Sequence, residues 1–80
     1  MPEEKHWLFL RVVYDLTHGD PEHGVRTAQV AQTASIPYTL DDALAVSREL
    51  RNADLIKETG PLGTIVSLTD DGKTFVEENT

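Results

Sequence analysis

The sequence contains no cysteine, and this absence removes two kinds of structural support. Without thiols the chain forms neither disulfides nor thiolate metal sites, a composition that suits a reducing interior. It also lacks any apolar run near the roughly 18 residues of a membrane span, and any basic leader followed by an apolar stretch. We therefore expect a cytoplasmic protein with no membrane segment, folded as a single domain over residues 1–80.

The sequence patterns of enzymes are also missing. There is no glycine-rich phosphate loop and no nucleophile with an orienting partner. The loop from His18 to Gly24 holds two histidines and two carboxylates, but their spacing matches no rigid metal-binding geometry. We expect a solvated loop there, with a metal site as the weaker alternative. The sequence thus predicts a protein that is not an enzyme and that carries no cofactor.

Basic residues are scarce. Seven Lys and Arg stand against 14 Asp and Glu, and the formal net charge of -7 opposes binding to a phosphate backbone. The segment 26–57 holds four residues of each sign and is neutral, so the other ten acids and three bases, outside it, carry the whole charge. The acidic flanks have three interpretations: adaptation to the salt-rich cytoplasm of a halophile, ordinary solubility, or a surface that binds another protein.

The neutral segment predicts two helices joined by a tight turn. The first opens at Thr27, whose hydroxyl is suited to cap a free backbone N–H, and carries small apolar residues such as Ala28 and Ala31 on one side. Pro37 ends it, because proline pushes the preceding residue out of the helical region and donates no hydrogen bond.

The second helix is predicted over residues 40–53. Thr39 is its expected N-cap, and Asp41 and Asp42 suit the positive end of the helix dipole. Apolar residues recur at helical spacing and predict a buried stripe. That stripe comprises Leu40, Ala43, Val46, Leu50 and Ala53. The opposite, exposed face comprises Asp42, Ala45, Arg48, Glu49 and Asn52.

A β-hairpin and a last helix follow. Two β-rich runs, 55–59 and 64–68, flank the turn signal Gly60-Pro61-Leu62-Gly63, which contains no basic residue. The short run 25–27 is expected to pair with this hairpin. Thr69 is the predicted N-cap of a short helix over residues 73–78, whose Phe75 and Val76 would pack against the first helix of the chain.

This order of elements resembles the winged helix-turn-helix domain. The run Leu50 to Lys57 resembles the step that follows the recognition helix in multiple-antibiotic-resistance-regulator (MarR-like) proteins and related archaeal regulators. The Leu-Thr-x-x-Gly step at residues 68–72 is similar to the one that closes their wing. Asp54 stands at their usual glycine, a substitution that Asp tolerates because it visits the left-handed region readily. The resemblance implies an α+β fold with a three-helix core, a hairpin wing and a short C-terminal helix.

The resemblance also implies a function in transcription regulation. Residues 40–53 would form the recognition helix in the major groove of double-stranded DNA. The contact positions of the family fall on Thr39, Asp42, Ala45, Arg48 and Arg51. We expect Arg48 to read guanine through two hydrogen bonds, whereas Arg51, Arg26, Tyr38 and Lys57 suit phosphates.

Two alternatives remain open for these residues. Arg48 and Arg51 could be solvated surface residues, or could pair with Glu49 or the aspartates, worth less than about 1 kcal/mol when exposed. The whole domain could instead bind a protein partner through its acidic surface, with Asp41 and Asp42 at the tip of the second helix as contacts.

The first helix is unusually apolar. Between Lys5 and Thr17, apolar residues fill roughly 260° of the helical circumference, more than one small core covers. We expect Trp7, Leu10 and Tyr14 to pack on a second copy of the chain in a homodimer. Alternatively, the hairpin and the last helix cover this surface within the monomer.

Overall fold

The computed structural model describes residues 4–34, 39–61 and 64–79. Within these ranges the chain is α+β, as predicted, with four helices and a three-stranded antiparallel sheet. The elements in chain order are α1 Glu4–Thr17, β1 Val25–Arg26, α2 Thr27–Thr33, α3 Leu40–Asn52, β2 Ile56–Thr59, β3 Ile65–Leu68 and α4 Asp70–Glu78. The predictions for Pro37, Tyr38, Leu62 and Gly63 lie outside the described residues.

The sheet has the strand order β1-β3-β2. Val25 pairs with Val66, and Ile56 pairs with Leu68, in antiparallel register. These four side chains are buried, so one face of the sheet lies against the helices and the next residues along each strand point to the other face. The short first strand and its pairing with the hairpin confirm the sequence prediction.

The core is centred on α1, which contacts the other three helices and the sheet. Phe9, Leu10 and Val13 are completely buried. They pack in one cluster with apolar residues of every other element: Val25, Val30, Ala43, Val46, Leu50, Ile56, Val66, Leu68 and Val76. The elements of a single chain therefore cover much of the apolar surface of α1.

Both α1 and α3 end in a left-handed residue that is not glycine. After α3, Asp54 has φ 62° and its N–H bonds to the carbonyl of Arg51, while Leu55 N–H bonds to Leu50. This is a Schellman closure, and Asp54 adopts the left-handed conformation expected of it. After α1, His18 has φ 55° and takes the same place, whereas Gly19 follows one residue later.

The start of α2 differs from the prediction. The helix does begin at Thr27, but the preceding Arg26 occupies the cap position and no side chain caps the helix. The Thr27 hydroxyl is buried and donates instead to the carbonyl of Thr64, at 3.3 Å. The Thr27 side chain is thus used to join α2 to the hairpin, a contact between distant parts of the sequence.

The start of α4 confirms the predicted N-cap and extends the helix. Thr69 accepts a hydrogen bond from Gly72 N–H at 2.9 Å and donates to the carbonyl of Asp54, so α4 begins at Asp70 rather than at Lys73. A Cβ atom at Gly72 would lie 1.9 Å from the carbonyl oxygen of Leu55. Glycine is therefore required where α4 packs against the junction of α3 and β2.

Candidate functional site

The exposed face of α3 is the first part of the candidate site. Its predicted members are all exposed: Asp42, Ala45, Arg48, Glu49 and Asn52. Ala43, Val46 and Leu50 are buried on the other side, together with Ser47. The helical period thus separates a core face from a solvent face, and the sequence prediction of these two faces is largely confirmed.

Two residues of the predicted core stripe are exposed instead. Leu40 keeps 55% of its surface accessible, and Ala53 is exposed at the C-cap position. Side chains on a helix lean over the turn that precedes them, and Leu40, the first residue of α3, has no preceding turn of that helix to cover. The inward stripe of α3 therefore runs only from Ala43 to Leu50.

The N-terminus of α3 is fixed by its cap. The Thr39 hydroxyl accepts a hydrogen bond from Asp42 N–H at 3.1 Å, as predicted. Its O–H proton is still available to a further acceptor. Asp41 and Asp42 are both exposed in the first turn, where carboxylates stabilise the helix by their interaction with its dipole.

The arginines of α3 differ in their surroundings. Arg48 is exposed and forms no ion pair with any residue that the structure describes. Arg51 Nε lies 3.6 Å from Glu58 Oε1 of β2, and the Glu58 side chain is only 10% exposed. Because 3.6 Å is too long for a hydrogen bond, this contact is an ion pair only.

The sheet carries the two other predicted cations. Arg26 is opposite Ile65, and Lys57 is opposite Ser67, on the face of the sheet that does not bear the core residues. Both side chains are exposed. Tyr38, the remaining predicted phosphate contact, lies outside the described residues.

A cavity of about 450 Å³ lies between the starts of α2 and α3 and the β2–β3 hairpin. The side chains that line it include Arg26, Thr27, Leu40, Leu44, Pro61 and Ile65. Its lining is mostly apolar, and Arg26 is its charged member among the residues that the structure describes. Arg26 and Leu40, the first residue of α3, line the same cavity, an association that the sequence alone did not indicate.

The expected dimer surface needs one correction. Leu10 is completely buried in the core of its own chain, so it is not available to a second copy. The Trp7 ring packs edge-to-face on Phe75 of α4, with centroids 5.9 Å apart, which confirms the predicted contact of the last helix with the first. Trp7 and Tyr14 are partly buried at the seam between α1 and α4.

Tyr14 is also linked to α4. Its hydroxyl donates to Glu77 Oε2 at 3.0 Å. This hydrogen bond raises the pKa of Tyr14 above its ordinary value of 10.0, with smaller contributions from burial and from the negative charges of Glu77 and Asp15. The neutral phenol is the form that donates, so the contact favours retention of the proton.

A pair between α1 and α3 was not predicted. The ring of His6 is buried in α1, and its Nε2 contacts the carboxylate of Glu49 on α3. The two residues are 43 positions apart, and helical periodicity gives no information about such partners. One of the acidic residues beside Arg48 is thereby engaged by α1.

The loop after α1 gives no support to the weaker metal interpretation. The backbone N–H of Glu22 bonds to Asp20 Oδ1 at 2.9 Å, a local turn contact. Across residues 4–34, 39–61 and 64–79, no three His, Asp or Glu side chains come close enough to hold a metal ion. No helix in the same ranges has the length and apolar character that crossing a membrane requires.

Comparison with known proteins adds information on the fold. No family model and no curated protein sequence matches the chain. The crystal structure of AF1382 from Archaeoglobus fulgidus is similar, with a TM-score of 0.79 and 19% sequence identity. The match covers 99% of this chain and 84% of the other. This similarity shows that the two chains share a fold.

Proposed function

We propose that this protein is a transcriptional regulator that binds double-stranded DNA through a winged helix-turn-helix. The main observation in support is the exposed face of α3, where Arg48 forms no ion pair with the described residues. The element order α2, α3, β2 and β3, with β1 paired to the hairpin, supports this fold family. In this proposal α3 is the recognition helix and the hairpin is the wing.

Arg48 is assigned the role of base reader. Its guanidinium presents two parallel N–H groups that match the O6 and N7 acceptors of guanine. Arg51, Arg26 and Lys57 are assigned to phosphates, where contacts position the protein without reading sequence. The Arg51 side chain is 49% exposed, so a phosphate can reach it although Glu58 lies beside it.

The net charge of -7 is compatible with this proposal if binding is local. The segment 26–57 is neutral, and the excess acids lie outside it. Charges farther apart than about 10 Å are largely screened at 0.1 M salt, so acids at that distance from the DNA oppose binding only weakly. Glu58 is an exception among the acids outside the segment, because it lies 3.6 Å from Arg51. We therefore expect affinity to be weak for DNA in general and to depend on the recognition contacts.

A homodimer is part of the proposal. Trp7 and Tyr14 are aromatic residues that their own chain covers only in part, along the α1–α4 seam. A two-fold pair formed there would present two copies of α3 to successive turns of the major groove. Leu10 is excluded from the surface because it lies in the core.

The test is binding to mixed-sequence DNA duplexes, measured by fluorescence anisotropy between about 50 and 200 mM salt. Arg48→Ala combined with Arg51→Ala should weaken this binding and flatten the dependence of log affinity on log salt, by about one unit of slope for each lost phosphate contact. Arg11→Ala with Lys73→Ala is the matched control, because it removes the same charge outside segment 26–57. Equal losses in the two double variants would leave α3 with no special role.

The second candidate is a winged helix that binds protein and not DNA. The observation in its favour is the pair of exposed carboxylates at the tip of α3, Asp41 and Asp42, which would face the phosphates in the first proposal. Failure of the wild-type protein to bind DNA at any salt, with the chain folded, would favour this function. Asp41→Asn with Asp42→Asn should then weaken binding to the protein partner.

A further inference from the structure

Leu40 is an apolar side chain in an unusual place. Among the residues that the structure describes, Leu40 is a large hydrophobic residue that is exposed, with 55% of its surface accessible. It is adjacent to the N-cap Thr39, so its position at the start of α3 is fixed by the hydrogen bond from Asp42 N–H. An apolar side chain held at an exposed and ordered helix start is suited to contact an apolar group outside the chain.

The cavity that Leu40 lines indicates the chemistry of the partner. Leu44, Pro61 and Ile65 form apolar walls, and the Thr27 hydroxyl, bonded to the Thr64 carbonyl, joins the α2 side to the hairpin side. Arg26 is charged and no lining residue that the structure describes is acidic, although the chain carries a net charge of -7. The positive charge of Arg26 and the apolar walls together favour a partner that has both a negative charge and an apolar group.

We infer that Leu40 recognises thymine through its 5-methyl group, while Arg26 binds a phosphate beside it. This inference rests on the proposed DNA-binding function and extends it to sequence preference. In the major groove each base pair presents hydrogen-bonding groups, and the thymine methyl is the apolar group that a leucine can contact. Residues at the N-terminal part of a recognition helix are those that reach base edges, and Leu40 is the first residue of α3.

The experiment compares DNA that has the methyl group with DNA that lacks it. Duplexes selected from a randomised pool for binding to the wild type are prepared with thymine, or with uracil at every thymine position. The affinities of the wild type, Leu40→Ala and Leu8→Ala are measured at one low salt concentration. Leu8→Ala is the control, because Leu8 is a partly buried leucine on α1, outside the cavity lining.

The wild type and Leu8→Ala should bind the thymine duplex about fourfold more tightly for each methyl contacted, the change expected for one buried apolar carbon. Leu40→Ala should bind both duplexes equally. Circular dichroism should show all three proteins folded, since Leu40 contributes little to the core. A second variant, Leu40→Met, should retain the preference for thymine, because methionine keeps an apolar side chain of similar volume.

Three results would overturn the inference, and they separate it from the proposed function. A wild type that binds thymine and uracil duplexes equally would leave DNA binding intact and remove the role of Leu40. A preference for thymine that persists in Leu40→Ala would assign the methyl contact to another residue. A wild type that binds neither duplex at low salt would remove both the inference and the proposed function.

Discussion

Arg51 Nε lies 3.6 Å from Glu58 Oε1, and this ion pair joins the last turn of α3 to the middle of β2. The carboxylate is 10% exposed, whereas the guanidinium is 49% exposed. A nearly buried acid therefore faces a cation that we assign to a DNA phosphate. The carboxylate and the phosphate would compete for the same positive charge.

Glu58→Gln should strengthen DNA binding by removing this competitor. The expected gain is about two- to fivefold, because a partly exposed ion pair is worth up to about 1 kcal/mol. In a double-mutant cycle with Arg51→Ala, the gain should shrink, since the competition acts through Arg51. Glu78→Gln, at the exposed end of α4, changes the net charge equally and serves as control. The same gain in both single variants would show a general charge effect only.

Asp41→Asn with Asp42→Asn should tighten DNA binding and slightly destabilise the fold. Each carboxylate repels a phosphate about 4 Å away by about 1 kcal/mol in water. Each also stabilises α3 by about 0.3–1 kcal/mol through its interaction with the helix dipole. Asp70→Asn with Asp71→Asn makes the same change in the first turn of α4. Anisotropy titrations should show the gain only in the α3 pair. Weaker DNA binding by the α3 pair would mean that these aspartates contact the DNA favourably.

Leu10→Ala and Leu40→Ala should differ strongly in stability. Leu10 is completely buried, so its truncation should cost about 2–5 kcal/mol of unfolding free energy. Leu40 is 55% exposed, and its truncation should cost less than about 1 kcal/mol. Urea unfolding followed by circular dichroism measures both. A large loss for Leu40→Ala would mean that this side chain packs against the chain.

The proposed homodimer predicts that Trp7→Ala with Tyr14→Ala lowers the apparent mass in sedimentation equilibrium from twice 8.9 kDa toward 8.9 kDa. These side chains are partly buried at the α1–α4 seam, and a second copy would bury the rest of their surface. Tyr14→Phe alone keeps the ring and should preserve the dimer. A dimer that survives the double substitution would place the interface elsewhere.

Tyr14 should ionise above the ordinary tyrosine pKa of 10.0, because its hydrogen bond to Glu77 holds the proton. A folded-state pKa above the unfolded value means that the contact stabilises the fold below about pH 10 and stops doing so as pH rises through the folded-state pKa. Absorbance titration of Tyr38→Phe, which leaves one tyrosine, reports Tyr14 directly. Glu77→Gln in that background should bring the pKa back toward the ordinary value. An unchanged titration would assign the shift to another cause.

Local features were predictable from the sequence, and contacts between distant residues were not. Thr39, Thr69 and Asp54 act within three or four residues of their partners, so capping and turn chemistry identified them. The Thr27 hydroxyl was misassigned, because its partner Thr64 lies 37 residues away. The pair of Arg51 with Glu58 was missed for a similar reason, since it requires the hairpin to fold back on α3.

Periodicity also predicted the faces of α3 better than the surroundings of α1. The apolar arc of α1 is too wide to indicate which part the rest of the chain covers, so Leu10 was assigned to a dimer surface although it lies in the core. Leu40 fits the apolar period of α3, yet it is the first residue of the helix and extends beyond the packed region. Helical periodicity predicts the side of the helix on which a residue lies, but not how far along the helix the core extends.

The most direct measurement is the mapping of DNA contacts by backbone amide chemical shifts. A mixed-sequence duplex is added to isotope-labelled protein at low salt, and the shift changes are assigned by residue. The changes should concentrate on the exposed face of α3, around Arg48, and at the start of α2 beside Arg26. Changes confined to the α1–α4 seam, or no changes at DNA concentrations well above the protein concentration, would contradict the assignment of α3 as a DNA-binding helix.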